Sequence, residues 1–269
     1  MDRRDYLLHS VKNAMRILRL FSMDEPELGV TQISSRLGLS KSSTHRLIAT
    51  LLKQGYLEKN EINSKYRLGL ALLGLTGVIT NTLEIHRESL PILQDIVEQL
   101  GEAAHLGVLE GNDVVYLHKV ECKHPVRLLS HIGKRNPAYC SSAGKVILAY
   151  QSEEVIHRVL ESELYPYGPN TITNPEKLRE NLMDIRCKGY SIAIDELHEG
   201  VVSIAVPVRD YTGAVIAAIS VVGPKQRMSE HQSPYHIQIL HLAGQKLSKQ
   251  LGFIETDNKC TIKKIRRDI

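Results

Sequence analysis

Cationic and hydroxyl side chains are concentrated at the start of a helical pattern near residue 40. The pattern predicts a helix from about residue 41 to 54, and its apolar face carries Leu47, Ile48, Leu51 and Leu52. Ser40 is placed to cap it. The opposite face of its first turns carries Lys41, Ser42, Ser43, His45 and Arg46. Such a polar surface is suited to the major groove of DNA, although a polar helix face more commonly just faces solvent.

Two further helices are predicted before this one. Residues 11–22 form an amphipathic pattern, and residues 30–37 form a second one, in which Thr31 is placed as a possible N-cap and as a further DNA contact. Gly38 can adopt the positive φ that ends a helix, so the second helix is expected to stop there.

A basic hairpin is predicted directly after the three helices. Residues 55–69 read as two short strands around a turn at 60–64, and their cations are Lys59, Lys65 and Arg67. Three helices followed by such a hairpin are typical of a winged helix-turn-helix. We therefore expect this hairpin to act as a DNA-contacting wing.

The charge of the chain is uneven. The net charge is +4, but residues 1–68 hold twelve Lys/Arg against seven Asp/Glu, whereas the remaining residues hold twenty-two against twenty-three. Binding to a polyanion benefits from this asymmetry, because neutralisation of phosphates supplies most non-specific affinity for DNA.

Length and composition favour a two-domain cytoplasmic protein. The chain of 269 residues is long enough for two cores, and the four cysteines form no CxxC pair, which favours free thiols. The first residues lack the apolar core of a signal peptide, and no apolar run is long enough to cross a membrane. Residues 70–83 read as an apolar helix that either packs on its copy in a dimer or joins the two domains.

From residue 85 onward the pattern alternates between helices and strands. A helix over 85–100 is followed by strand candidates at 103–110, 114–121 and 126–132, with a turn at Gly111. Helices are predicted at 153–162 and 175–188, strands within 189–224, and a last helix at 233–251 before a basic tail. No phosphate-binding loop or nucleophile elbow is present.

A loop of small residues precedes a predicted helix near residue 142. Ser142, Ala143 and Gly144 would let the backbone approach a ligand closely, and helix N-terminal amides favour an anion such as a carboxylate. A well-capped helix entering a crowded core explains the same residues equally well.

Two other classes of function are weaker alternatives. An enzyme would use Cys140 as a nucleophile, but the sequence shows no base with an orienting partner. A metal sensor would use His118, Cys122 and His124, but their spacing is loose and a structural zinc site requires four ligands. We therefore expect neither catalytic residues, nor a metal, nor a cofactor.

Together these stretches resemble the IclR family of bacterial transcription regulators over roughly residues 8–252. The resemblance rests on the motifs LGLSKSSTHRLIATL, GYLEKNEINSKYRLG, SSAGKVILA and GYSIAIDELHEGVVSIAVPVRDYTGAVIAAISVVGP. It implies an α+β protein with a winged helix-turn-helix at 8–69, a linker helix at 70–84, a GAF-like effector domain of antiparallel sheet and flanking helices at 85–252, and a basic tail at 253–269.

The family's effector pocket carries over to particular positions. The resemblance places Leu128 and Leu129 in an apolar wall, and it adds to the pocket Ser142, Ala143, Gly144, Asp195, Glu196, Ser203 and Ser220. Ala193 and Val222 stand where other members have polar residues, so the polarity of the ligand stays open.

The resemblance also implies how such a protein works. Members are dimers or dimers of dimers that control catabolic operons and respond to small metabolites, often organic, sugar or aromatic acids. We expect a repressor that a small acid releases or repositions through residues 70–83, with an activator of the same class as the alternative.

Overall fold

The chain folds into two compact units. The computed structural model describes residues 8–22, 24–82, 84–123, 131–228 and 233–254. Contacts divide the chain into Met1–Thr82, unit 1, and Leu83–Ile269, unit 2. The finer division into 8–69, 70–84, 85–252 and 253–269 stays a prediction, and residues 255–269 of the tail lie outside the described residues.

Unit 1 is a small helical body with a two-stranded hairpin. Its elements are α1 (His9–Leu18), α2 (Val30–Leu37), α3 (Lys41–Lys53), β1 (Leu57–Lys59), β2 (Tyr66–Leu68) and α4 (Ala71–Thr82). Its aliphatic core includes Ile17, Ile33 and Ile48, one from each of the first three helices. The apolar stripes of the sequence therefore do face one another.

The turn between α2 and α3 has the predicted chemistry. Gly38 has a φ of 65°, which ends α2 in the left-handed conformation, and the side chain of Ser40 accepts a hydrogen bond from Ser43 N. The N-cap prediction for Thr31 is wrong. Gly29 is the N-cap of α2, and its N–H donates to Gln32 Oε1 at 2.8 Å, so Thr31 lies inside the helix.

Unit 2 is built on an antiparallel sheet. The elements are α5 (Glu84–Leu100), β3 (Ala103–Glu110), β4 (Asp113–Val120), β5 (Arg135–Pro137), α6 (Ser142–Leu148), α7 (Glu153–Leu160), α8 (Pro175–Lys188), β6 (Ser191–Ile194), β7 (Val201–Arg209), β8 (Val215–Pro224) and α9 (Ser233–Gln250). The strand order is β5-β4-β3-β8-β7-β6, and neighbouring strands are antiparallel. The predicted α+β class is confirmed.

The two faces of this sheet are covered differently. One face packs on α5 and α9 through an aliphatic core that contains Leu93, Ile204 and Leu240. The other face packs on α6, whose residues are all buried. Because strand side chains alternate between the two faces, β7 contributes Ile204 to the first core and Ala205 to the second.

Most predicted strands and helices of unit 2 are present. The hairpin of β3 and β4 turns at Gly111, where φ is 66°. Residues 126–130 of the predicted strand at 126–132 lie outside the described residues. Residues 131 and 132 are described and are not in a strand. The third strand at this edge is β5, which pairs with β4. Among the described helices, none is both long and apolar enough to cross a lipid bilayer.

Candidate nucleic-acid interface and ligand cavity

The start of α3 presents the predicted reading surface. Lys41, Ser42, Ser43, His45 and Arg46 are all exposed. Within the described parts of the chain, no ion pair occupies the side chains of Lys41, His45 or Arg46. Their charge and hydrogen-bonding groups are therefore available to phosphates and base edges.

Buried and capping groups hold this surface in place. Thr44, which the sequence did not single out, is fully buried under the exposed residues, and its hydroxyl donates to Ser40 O at 3.0 Å. The hydroxyl of Ser40 lies 3.1 Å from that of Ser42 and 2.9 Å from that of Ser43. Thr31 is exposed in the first turn of α2.

The cations of the wing are not equivalent. Lys59 and Lys65 are exposed, and Lys59 lies 3.9 Å from Glu61. Arg67 is held by Glu58 of the facing strand, since its Nε and Nη2 both donate to Oε2, at 3.0 and 2.9 Å. Glu58 neutralises the charge of Arg67, so Arg67 is a weaker candidate for a phosphate contact than Lys59 or Lys65.

A carboxylate outside the predicted set positions the wing. Glu27 accepts hydrogen bonds from Asn60 Nδ2 at 2.9 Å and from Asn63 Nδ2 at 2.7 Å, and these bonds lower its pKa. The adjacent Leu28 exchanges backbone hydrogen bonds with Tyr66 in both directions at 2.9 Å. The acidic loop before α2 thus anchors both the turn and the second strand of the wing. The two segments are more than thirty residues apart in the chain, so the sequence alone did not indicate this contact.

Unit 2 contains a small cavity of about 50 Å³ on the α6 side of its sheet. The strand register forms its floor, because Ala193, Ser203 and Val222 are direct partners across β6, β7 and β8. The remaining lining is more polar and comprises His105, Tyr116, Lys134, Asn136, Cys140, Ser141, Glu196, Leu197, His198 and Val201.

Two of the predicted effector residues line the cavity and the other described ones do not. Glu196 and Ser203 line the cavity, as do Ala193 and Val222. Ser220 is buried two residues before Val222 in β8, opposite His105 of β3, and its hydroxyl has no hydrogen-bond partner among the described residues. Leu128 and Leu129 lie outside the described residues.

The residues at the start of α6 are placed in packing contacts. Ser142, Ala143 and Gly144 are buried but do not line the cavity; the N-cap Ser141 does. A Cβ at Gly144 would lie 2.3 Å from Ala138 O, so this glycine allows α6 to approach the preceding 3-10 turn at Ala138–Cys140. A ligand contact for these three residues stays a prediction.

Asp195 has its own partners. Its Oδ1 accepts from Gly200 N at 2.7 Å and its Oδ2 from Lys225 Nζ at 2.8 Å, which lowers its pKa. Asp195 is not among the residues that line the cavity. It closes the turn that carries Glu196 and His198, and its φ of 57° is left-handed.

A buried ion pair joins α6 to this turn. Lys145 is fully buried and its Nζ lies 2.5 Å from Glu196 Oε1. Burial raises the pKa of Glu196, although the charge of Lys145 opposes that shift. The second oxygen, Oε2, is buried and receives no hydrogen bond from the described residues.

Lys134, His198 and His105 add three nitrogen-bearing side chains to the lining of the cavity. Lys134 and His198 are half-buried, and burial together with the nearby charge of Lys134 lowers the pKa of His198. Full burial lowers the pKa of His105 to about 3. An anion beside these groups would relieve the repulsion between Lys134 and a protonated His198.

The structure also gives evidence on the two alternative functions, an enzyme and a metal sensor. Burial raises the pKa of Cys140 to about 12, which is opposite to the shift that a nucleophilic thiolate needs. Within the described residues, no group of three or more His, Cys, Asp or Glu side chains is placed to hold a metal ion. His118 instead lies 3.3 Å from Ser89 Oγ and packs on the ring of His86, and His124 is outside the described residues.

A winged helix-turn-helix joined in one chain to a unit with a polar cavity defines a ligand-responsive DNA-binding regulator. Residues 10–61 match the IclR helix-turn-helix domain, and residues 78–249 match the bacterial transcriptional regulator IclR C-terminal domain. The chain belongs to the IclR family of transcription regulators, which is a non-enzymatic class.

Similar proteins span nearly the whole chain. The HTH-type transcriptional regulator XynR of Escherichia coli (strain K12) is 34% identical over 248 residues, which are 92% of this chain and 98% of XynR. KdgR of the same strain is 33% identical, over 94% of this chain and 96% of KdgR. The crystal structure of an IclR homolog from Microbacterium hydrocarbonoxydans, complexed with 4-hydroxybenzoate, superposes with a TM-score of 0.80 at 31% identity, covering 90% of this chain and 98% of that one.

Proposed function

We propose that this regulator represses a catabolic operon as a dimer in the cytoplasm and that a small organic acid in the unit 2 cavity weakens or repositions its hold on DNA. The DNA-binding part of the proposal rests on Lys41 and Arg46 of α3, which are exposed and form no ion pair with the described residues. The assignment of an acid as the effector rests on the cavity, whose lining includes the half-buried Lys134 and His198.

The DNA contacts are assigned by exposure and charge. Lys41, His45 and Arg46 meet phosphates and base edges in the major groove, with Ser42 and Ser43 as smaller hydrogen-bonding groups. Lys59 and Lys65 of the wing contact the adjacent backbone. Thr31 and Arg67 contribute less, because Thr31 carries no charge and Arg67 is paired with Glu58.

Exposed apolar residues in and next to α4 favour a second copy of the chain as a partner. Leu70, Leu73 and Leu75 are 71%, 66% and 51% exposed, which is unfavourable for a helix that stays in water. Packing on a second copy would cover them. A dimer would also present two reading helices to paired half-sites of an operator.

The similar structure with bound 4-hydroxybenzoate supports an acid as effector, since a carboxylate ligand occupies a protein 31% identical to this chain. A small acid acts as an effector of this chain only if its affinity differs between the conformation that binds DNA and the conformation that does not. Residues 70–83 connect the two units and are the segment through which we expect the difference to act.

A DNA titration tests the reading surface. Wild-type protein is titrated against the promoter region adjoining its own gene at several salt concentrations, and compared with a Lys41→Ala/Arg46→Ala variant. Loss of two phosphate contacts should weaken binding and lower the salt slope by about 2. A Glu153→Ala variant, which changes an exposed residue of unit 2, serves as the control. Undiminished binding by the double variant would exclude α3 as the reading helix.

A further inference from the structure

The tip of the wing presents an isoleucine to solvent. Ile62 lies in the turn between β1 and β2 and is 97% exposed, more than any other large apolar side chain of the described residues. A single exposed apolar side chain is common on protein surfaces, so exposure alone assigns no role to it. What distinguishes Ile62 is the way in which the turn around it is held.

The polar side chains of this turn are used to fix its shape. Asn60 Oδ1 accepts a hydrogen bond from Ile62 N at 3.0 Å, and Asn63 Oδ1 accepts one from Lys65 N at 2.9 Å. The side-chain amide nitrogens of both asparagines donate to the carboxylate of Glu27. The turn therefore holds Ile62 outward on a fixed backbone, and a tip that is already ordered loses little conformational freedom when it binds.

The charges of the wing are partly cancelled. Lys59 lies 3.9 Å from Glu61, and Arg67 is paired with Glu58. Of the three wing cations, Lys65 is the one outside these two ion pairs. Counterion release adds affinity only for cations that reach phosphate. An apolar contact at the tip would add to the affinity for DNA without depending on these charges.

The wing is attached closely to α3. That helix ends at Lys53, and β1 begins at Leu57, which is 1% exposed and packs in the same core as Ile48 of α3. With the start of α3 in a major groove, a hairpin attached in this way lies over the adjacent minor groove. That groove is about 6 Å wide and admits a single aliphatic side chain, and isoleucine is one of the residues that proteins insert there.

We propose that Ile62 enters the minor groove beside α3 and favours A·T over G·C base pairs at that position. This assignment rests on the proposed DNA binding of unit 1. The floor of the minor groove carries acceptors at an A·T pair, whereas a G·C pair adds the 2-amino group of guanine, which is a donor. An apolar side chain that covers this amino group deprives it of its hydrogen bond to water, which is costly.

Three versions of one DNA fragment test the proposal. Hydroxyl-radical footprinting of the promoter region adjoining the gene first locates the minor-groove sugars that the wild-type protein protects beside the major-groove site. The base pairs of that segment are then made A·T, G·C or I·C, because inosine lacks the 2-amino group but keeps the major-groove groups of guanine. In anisotropy titrations, wild type should bind the A·T and I·C fragments within about twofold of each other and the G·C fragment about fivefold more weakly or worse.

Substitution of Ile62 should remove this preference. Ile62→Ala should weaken binding to the A·T fragment about tenfold and bind all three fragments within about twofold of one another. Its salt slope should equal that of wild type, because no charge is removed. Ile62→Leu retains an apolar side chain and should retain the preference. Ile254→Ala, which truncates an 80% exposed isoleucine of unit 2, is the matched control and should bind like wild type.

Three results would overturn the assignment of Ile62. The first is equal affinity of Ile62→Ala and wild type for the A·T fragment. The second is an I·C fragment that binds as weakly as the G·C fragment, which would place the reading in the major groove. The third is loss of self-association by Ile62→Ala in sedimentation, which would make this side chain a protein contact. All three require a wild type that binds DNA, whereas a wild type that binds none of the fragments would overturn the proposed function as well.

Discussion

The ammonium of Lys145 lies 2.5 Å from Oε1 of Glu196 in the interior of unit 2, and both side chains are almost completely buried. Lys145 belongs to α6 and Glu196 to the turn after β6, so the pair ties two elements together at the cavity. A buried pair of this kind repays its desolvation cost only while both partners are present.

Lys145→Met alone should destabilise unit 2 by about 3–5 kcal/mol, because it leaves a buried carboxylate uncompensated. The double variant Lys145→Met/Glu196→Leu should be close to wild type, since no charge remains to be solvated. Urea unfolding followed by circular dichroism measures both. Equal destabilisation by the single and double variants would contradict the assignment of a coupled pair.

Gly144→Ala should destabilise unit 2 by about 1–3 kcal/mol, the usual cost of overpacking. The added methyl would meet Ala138 O, and the helix and the 3-10 turn would have to separate. Gly74→Ala is the matched control, because no described atom lies within 4 Å of its added Cβ. That control should be neutral or slightly stabilising through its higher helix propensity. Thermal unfolding of both variants distinguishes them.

Glu27→Ala should weaken DNA binding while leaving helix content unchanged, because it releases Asn60 and Asn63 at the turn of the wing. The loss should be smaller than that of the Lys41→Ala/Arg46→Ala variant, since no phosphate contact is removed. Glu25→Ala, which changes the same loop and frees Arg36 of α2, is the control. A DNA affinity unaffected by Glu27→Ala would mean that the wing needs no anchor.

Arg46→Ala should lower the salt slope of DNA binding by about 1, whereas Arg67→Ala should lower it by clearly less. The reason is that Glu58 already neutralises Arg67. In a Glu58→Gln background, Arg67→Ala should gain a larger effect, because the guanidinium is then free to meet phosphate. Fluorescence anisotropy titrations at four salt concentrations give the slopes.

Stability should fall as the pH drops from about 6.5 toward 4. Burial lowers the pKa of His105 to about 3 and, with the nearby His86, that of His118 to about 4. Between those values and the unfolded pKa near 6.5, the unfolded chain binds more protons, so the stabilisation present above pH 6.5 is lost on acidification.

His118→Asn isolates one of these groups. It removes one titrating group while retaining a side chain able to hydrogen-bond to Ser89. The fall in melting temperature between pH 7.5 and 5 should be about 2–4 °C smaller in this variant than in wild type. An identical fall in both proteins would show that His118 already titrates normally.

The local parts of the fold were predictable from the sequence because they depend on neighbours in the chain. Helical spacing, the left-handed Gly38 and the cap at Ser40 predicted α3, and alternation around Gly111 predicted the first hairpin of the sheet. The Thr31 cap was misplaced by two residues, because the side chain of Gln32 accepts the N–H of Gly29 and allows the helix to begin there.

The family resemblance extended these local predictions to the α+β class and to pocket positions on adjacent strands. Ala193, Ser203 and Val222 lie side by side because they are register partners across β6, β7 and β8, and their contact with an effector stays a prediction. The resemblance alone could not show which members of the motif SSAG face a ligand.

Amino-acid types and spacing thus determined which residues could read DNA and that a second domain would follow. Only the tertiary structure decided which charges remain available. Arg67 is neutralised across the hairpin by Glu58, Glu27 is bound to a wing more than thirty residues away, and Lys145 is buried against Glu196, fifty-one residues on. Such pairings depend on how distant segments pack, because electrostatic and hydrogen-bond energies follow distance in space and solvent exposure rather than separation along the chain.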